Sequence, residues 1–180
     1  HLRESDWNVH DIVVPDPSPG HDPACDDITK DSLQGEIPTA SVLLPVGGGV
    51  ISDLGKWIAF ERGIPYVCYG TAASMNGYAS ANVAPKLKGV KSLVRAQPPR
   101  VVVSDPNVLR KAPWHLTASG LGDILAKSVS SADWIMNHLL FGDYYCERAV
   151  GLIAEIEPLY MEHPERLREG DGRALEALFS

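Results

Sequence analysis

The sequence predicts an α/β chain, a parallel sheet with a crossover helix, followed by the first helices of an all-helical region. Three observations carry that reading. Two apolar runs, Val42-Leu43-Leu44 and Pro65 to Tyr69, flank a segment whose apolar residues Ile51, Leu54, Trp57, Ile58 and Phe60 recur at helical spacing. Three glycines, Gly47, Gly48 and Gly49, stand at the strand-to-helix turn. Beyond Pro113 no strand pattern occurs, and Leu121, Ile124, Leu125, Val129, Ala132, Ile135, Met136 and Leu139 repeat with helical spacing.

Taken in order, Ile12 to Val14 reads as a short strand, and Pro15, Pro17, Pro19 and Pro23 force a loop after it. Residues 24–39 are weakly patterned. A strand follows at 40–46, a helix at 49–62 stopped by Gly63, and a strand at 65–69. A crossover of that length makes the two strands parallel and puts the glycine turn at the carboxyl edge of the sheet. Residues 80–96 form a hairpin or an irregular excursion. Arg100 to Asp105 is a further buried strand, ended by Pro106. Further helices are expected at about 143–157 and 174–179.

Composition narrows the function. The 180 residues are 44% hydrophobic and 22% charged, enough for a sizeable core in one domain or one plus a fragment. A formal net charge of −7 argues against a nucleic-acid surface, because neutralising phosphates takes a surplus of Lys and Arg. No apolar stretch approaches the roughly 18 residues of a membrane span, and no signal-peptide pattern appears, so a cytoplasmic location is expected. Cys25, Cys68 and Cys146 are odd in number and widely spaced, which fits reduced thiols. The chain opens on His1 and its first methionine is Met75, so it is expected to be part of a longer protein.

Four segments can carry chemistry. At Pro45-Val46-Gly47-Gly48-Gly49-Val50-Ile51-Ser52-Asp53-Leu54-Gly55-Lys56, backbone N–H groups and the positive helix end can face an anion. The spacing is neither G-x-G-x-x-G nor a P-loop, so a nucleotide site and a tight structural turn both stay open. The loop Gly70-Thr71-Ala72-Ala73-Ser74-Met75-Asn76-Gly77-Tyr78-Ala79-Ser80 is dense in small and hydroxyl residues. It is expected at the same sheet edge, either wrapping a ligand or serving as an ordinary turn. In Ser119-Gly120-Leu121-Gly122-Asp123-Ile124-Leu125-Ala126-Lys127, Asp123 is either an early-helix carboxylate favoured by the dipole and paired with Lys127, or a metal-ligating carboxylate. Lys86, Lys88, Lys91, Arg95, Arg100, Arg110 and Lys111 form a local basic excess, either attracting a phosphorylated substrate or simply solvated.

These segments, in this order from about Val42 to Glu147, resemble the glycerol-1-phosphate dehydrogenase group of the iron-containing alcohol dehydrogenase and dehydroquinate synthase superfamily. The resemblance implies a Rossmann-like dinucleotide-binding domain over residues 1–112 and the first helices of a helical metal and substrate domain over 113–180. It implies NAD or NADP on Gly47, Gly48, Gly49, Val50, Ile51, Ser52 and Asp53 and on Thr71, Ala72, Ala73, Ser74 and Ser80. Asp123 is implied as a ligand of one divalent metal (zinc, nickel or iron) beside the substrate, with Lys127 catalytic on the same helix face. Asn76 stands at an implied substrate position where many members carry Asp, keeping the oxygen and losing the charge. The implied activity is interconversion of sn-glycerol 1-phosphate and dihydroxyacetone phosphate. A small phosphorylated polyol is the implied partner, and a homodimer the implied assembly. A related glycerol or polyol dehydrogenase and a non-catalytic dinucleotide-binding module are the alternatives. The family's two downstream histidine ligands find no match before Ser180, and His138 and His163 read as surface or interhelical residues.

Overall fold

The computed structural model describes residues 4–18 and 20–180. His1 and Pro19, used above, lie outside the described residues. The first helix, α1 (Asp27–Glu36), falls where the sequence is weakly patterned. Asp26 caps it, accepting the Thr29 amide at 2.8 Å, and only Leu33 is buried, so its apolar periodicity is faint. The strand expected at Ile12 to Val14 is not formed. Ile12 and Val14 instead pack on Leu33, Leu54 and Ile58, and Pro15 and Pro17 beyond them cannot donate to a ladder.

Three strands, β1 (Val46–Gly47), β2 (Val67–Gly70) and, after an excursion, β7 (Val101–Ser104), form a parallel sheet with β2 in the centre. Val46 faces Tyr69, and Val67 to Gly70 run in register with Val101 to Ser104. β1 is shorter than expected because Pro45 has no N–H to give. Pairing upstream survives as a Leu43–Tyr66 bridge, with the Leu43 amide 3.1 Å from the Pro65 carbonyl.

Helix α2 (Gly49–Arg62) crosses from β1 to β2 and stops at Gly63, whose φ of 65° suits glycine and whose amide closes on Ala59 and Phe60 carbonyls. The 80–96 excursion is two nested hairpins. The outer pair is β3 (Asn82–Val83) with β6 (Val94–Arg95), the inner β4 (Lys86–Leu87) with β5 (Val90–Lys91). Lys88 and Gly89, at φ 49° and 82°, make the inner turn.

After β7, Pro106 opens a short helix, α3 (Pro106–Leu109), and α4 (Trp114–Phe141) runs 28 residues to Gly142. Then follow α5 (Glu147–Ile156), α6 (Pro158–Met161), α7 (Glu165–Glu169) and α8 (Gly172–Phe179); the two short helices α6 and α7 were not foreseen. Helix α8 returns to the sheet, where Leu175, Leu178 and Phe179 join Tyr66, Cys68, Tyr78, Leu109, Ile124 and Tyr160 in the main core. Gly70 in β2 has no side chain, and a Cβ there would collide with the Phe179 ring. Only Thr117, Gly120 and Ile124 of α4 are buried, and beyond them Val129, Leu139 and Phe141 stand open to solvent.

Candidate functional site

Parallel pairing puts the carboxyl ends of β1, β2 and β7 on one edge, and the glycine turn and the 71–80 loop leave the sheet there side by side. Gly48 caps α2 with no side-chain hydrogen bond. The first-turn amides have no intrahelical acceptor, so the helix end offers donors and positive potential. The glycines differ in role. A Cβ on Gly47 would lie 2.6 Å from Ile51 Cβ, a packing requirement, whereas one on Gly49 would lie 2.9 Å from Met75 Sδ, the end of a flexible side chain that can shift. A Cβ on Gly48 would meet Ser74 Oγ at 3.5 Å and Ala72 Cβ at 4.0 Å, ordinary contacts. Packing would therefore accept a side chain at Gly48, where it would narrow the cradle between helix end and loop. Gly49 gives its amide to Ser74 Oγ, and the remaining first-turn amides over a side-chain-free floor fit a dinucleotide pyrophosphate.

Of the residues that follow, Val50 is exposed and Ile51 packs toward Gly47. Ser52 is buried with Oγ 3.3 Å from Cys68 Sγ, and Asp53 turns its carboxylate to Lys56 at 3.3 Å. What 50–53 offer at the glycine turn is backbone. Burial pushes the Asp53 carboxyl above its ordinary range, against the downward pull of Lys56.

The loop is stitched to the turn. The Thr71 amide donates to the Gly47 carbonyl at 3.0 Å and the Gly49 amide to Ser74 Oγ at 3.1 Å. Tyr78 Oη lies 3.3 Å from Ser74 Oγ and donates to the Ala72 carbonyl at 2.6 Å. The proton order follows: Gly49 N–H to Ser74, Ser74 O–H to Tyr78, Tyr78 O–H to Ala72. Ala72 and Ala73 are buried, and the Ala73 carbonyl lies so close to α4 that only glycine fits at Gly120.

Lys56 is the residue the sequence reading missed. It is fully buried, with Nζ 2.7 Å from the Gly77 carbonyl, 2.9 Å from Ser80 Oγ and 3.2 Å from the Asn82 carbonyl. Its only sequence signal is a lysine on the otherwise apolar Leu54-Trp57-Ile58 side of an amphipathic helix. Ser80 in turn donates to the Asn82 carbonyl at 2.8 Å, so Ser74 and Ser80 have both committed their protons and can only accept.

Across the cleft, the Asn76 amide donates to Asp123 Oδ2 at 2.8 Å and Asn76 Nδ2 to the Asp123 carbonyl at 3.1 Å. Asp123 lies nine residues after Trp114, past the reach of the helix dipole, which removes the early-helix reading. No ion pair joins it to Lys127 among the described residues; the partner it has is the loop. The described residues bring together no trio of His, Cys, Asp and Glu able to hold a metal, so Asp123 supplies at most one ligand and is not a centre by itself. His138 Nδ1 is bound to the Asp143 carbonyl at 2.6 Å and His163 Nδ1 to Glu165 Oε1 at 3.1 Å, both on the surface. The seven basic residues from Lys86 to Lys111 are all exposed, spread over the hairpins, the start of β7 and the end of α3.

Comparison with known proteins identifies the family. Over 170 residues the chain is 30% identical to a glycerol-1-phosphate dehydrogenase, NAD(P)+, of Pyrococcus furiosus, covering 94% of this chain and 47% of that protein. It is 36% identical over 129 residues to the enzyme of the same name from Thermococcus kodakarensis, covering 72% and 37%. The chain thus spans about half the length of the curated relatives it matches. A probable glycerol dehydrogenase from Sinorhizobium meliloti superposes with a TM-score of 0.76 at 19% identity, over 86% of this chain and 48% of that one, which bears on fold alone. No helix among the described residues is long and apolar enough to cross a membrane. A family model of iron-containing alcohol dehydrogenase matches residues 9–113, more than half of the chain, and the chain belongs to that family.

Proposed function

We propose that this chain is the dinucleotide-binding portion, with the first helices of a metal and substrate portion, of an NAD(P)-dependent oxidoreductase. The reaction is interconversion of sn-glycerol 1-phosphate and dihydroxyacetone phosphate in the cytoplasm, and the whole protein is a homodimer. The observation that carries the reading is the glycine end of α2, lacking a cap side chain of its own and bonded to the 71–80 loop at the carboxyl edge of a parallel sheet. The names of the relatives that match most of this chain support the substrate.

Nicotinamide, when bound, supplies the hydride chemistry. The amides of the glycine turn hold the pyrophosphate. Ser74 and Ser80 accept hydrogen bonds from hydroxyl or amide groups of the dinucleotide and leave its phosphates to the backbone. Thr71, Ala72 and Ala73 carry the loop backbone past the glycine turn, with Ala73 anchored in the core beneath it, and Asn76 Oδ1 accepts from a substrate hydroxyl. Asp123, with Lys127 one turn further along α4, is a ligand of a divalent zinc, nickel or iron whose other ligands lie outside this chain. The chain alone is inactive. The exposed apolar side chains of α4 fit a helical portion that continues in the longer protein.

Calorimetric titration with NADH, NADPH and their oxidised forms tests the reading. Saturable binding of one dinucleotide pair is expected; a folded chain that takes up none of them ends the proposal.

A further inference from the structure

A buried ammonium is costly unless its protons are all used. Lys56 uses them on the chain that follows β2: Gly77 carbonyl, Ser80 Oγ and Asn82 carbonyl, 21 to 26 residues further along. With three protons and four acceptors, the long 3.3 Å approach to Asp53 Oδ1 is the weakest contact, and that carboxylate contributes mainly charge. Seven residues earlier on the same helix, the Gly49 amide holds Ser74 Oγ. Seven residues of helix rise about 10 Å. The loop is therefore fastened to α2 at two posts, one at the glycine turn and one well below it, and between them lies Asn76, bonded to α4.

We propose that Lys56 is a positioning residue: without touching the dinucleotide, its ammonium holds the 77–82 segment against α2 and so fixes the wall that faces the glycine turn. The proposal rests on the dinucleotide reading above. The competing explanation is that Lys56 only adds stability. Leu54 separates the two. It is equally buried on the same helix but packs with Leu33 and Ile58, away from the loop.

The experiment compares the full chain as wild type, Lys56→Met and Leu54→Ala. NADH affinity is measured below each variant's unfolding temperature, and amide hydrogen exchange is followed over 76–83. In Lys56→Met, exchange over 77–82 is expected to quicken and the Kd for NADH to rise about tenfold, with Leu54→Ala within about twofold of wild type. Equal loss of NADH affinity in both variants, or wild-type exchange over 77–82 in Lys56→Met, overturns the proposal. A wild-type chain that binds no NADH refutes the dinucleotide reading, and the exchange comparison then still decides whether Lys56 holds the segment.

Discussion

Asn76 and Asp123 grip each other twice, the Asn76 amide on Asp123 Oδ2 at 2.8 Å and its carboxamide nitrogen on the Asp123 carbonyl at 3.1 Å. The two bonds fix the orientation of the carboxylate against the loop. An aspartate at position 76 could not make the second bond, because a carboxylate has no proton to give the carbonyl.

Replacing Asn76 separates its roles. Asn76→Ala keeps the amide bond and loses the carboxamide one, so stability in urea is expected to fall by about 1 kcal/mol with NADH affinity unchanged. Asn76→Asp adds a second negative charge beside Asp123 and is expected to destabilise more. In the longer, active protein Asn76→Ala should lower kcat/KM for glycerol phosphate. Wild-type kinetics there would reduce Asn76 to a structural link.

Gly48 is the glycine to mutate. Its backbone, at φ −76° and ψ −169°, is extended and open to any residue, and a Cβ meets no close atom. Gly48→Val is expected to fold normally and to raise the Kd for NADH at least about a hundredfold, by filling the approach of the pyrophosphate. Gly120→Ala and Gly70→Ala should instead fail in folding, since each drives a methyl group into Ala73 or Phe179. Unchanged NADH affinity in Gly48→Val would remove the ligand from this turn.

Alkali should unfold the protein in a defined window. Burial, with the Asp53 charge adding to it, raises the Cys25 thiol from 9.0 to about 12. Burial likewise raises Tyr78 from 10.0 to about 12. Both folded values exceed the unfolded ones, so the stability they carry is complete below about pH 9 and is lost as pH rises through about 12. Thermal unfolding is expected to hold steady to about pH 9 and then decline, with the onset moved toward pH 10 in Cys25→Ala. An identical alkaline limb in that variant would count against the Cys25 contribution.

The three thiols should react in order of environment. Hydrogen bonding with Tyr144, then with the Ala149 and Arg148 amides, lowers the Cys146 thiol, whereas burial raises Cys68 and Cys25. One fast equivalent of dithionitrobenzoate is expected at neutral pH and should vanish in Cys146→Ser. Its persistence there would assign the fast thiol elsewhere.

Metal retention tests the incomplete ligand set. After dialysis the chain is expected to hold far less than one equivalent of zinc, nickel or iron, because a lone carboxylate leaves the cation to water. In the longer protein Asp123→Ala should lower occupancy. Tight stoichiometric metal in this chain would contradict the reading of Asp123 as one ligand among several.

Much of this was legible locally. Three glycines between an apolar run and a helical period placed α2 at Gly49–Arg62, and Gly63 marked its end. The order of apolar runs implied the parallel β1-β2 pair and a further strand at β7, whose place beside β2 came only from the structure. What escaped depends on partners distant in sequence. α1 buries little beyond Leu33, so no period announces it. Ile12 and Val14 look like a strand because burial alone selects the same residues. Lys56 gave only its place on an apolar face, since its acceptors come from another segment. Asp123 was read against Lys127, its neighbour on the helix, while its actual partner Asn76 comes from the loop after β2.

The contact of Phe179 with Gly70 and, at 4.5 Å between ring centroids, with Tyr78 also has a meaning in time. Synthesis delivers Gly70 109 residues, and Tyr78 101 residues, before the ring that covers them. Until α8 emerges, Tyr66, Cys68 and Tyr78 are an open hydrophobic surface on the nascent chain, the kind of surface that chaperones engage. The glycine turn and its loop, though they lie in the first half of this sequence, gain their underlying core only when α8 has been made.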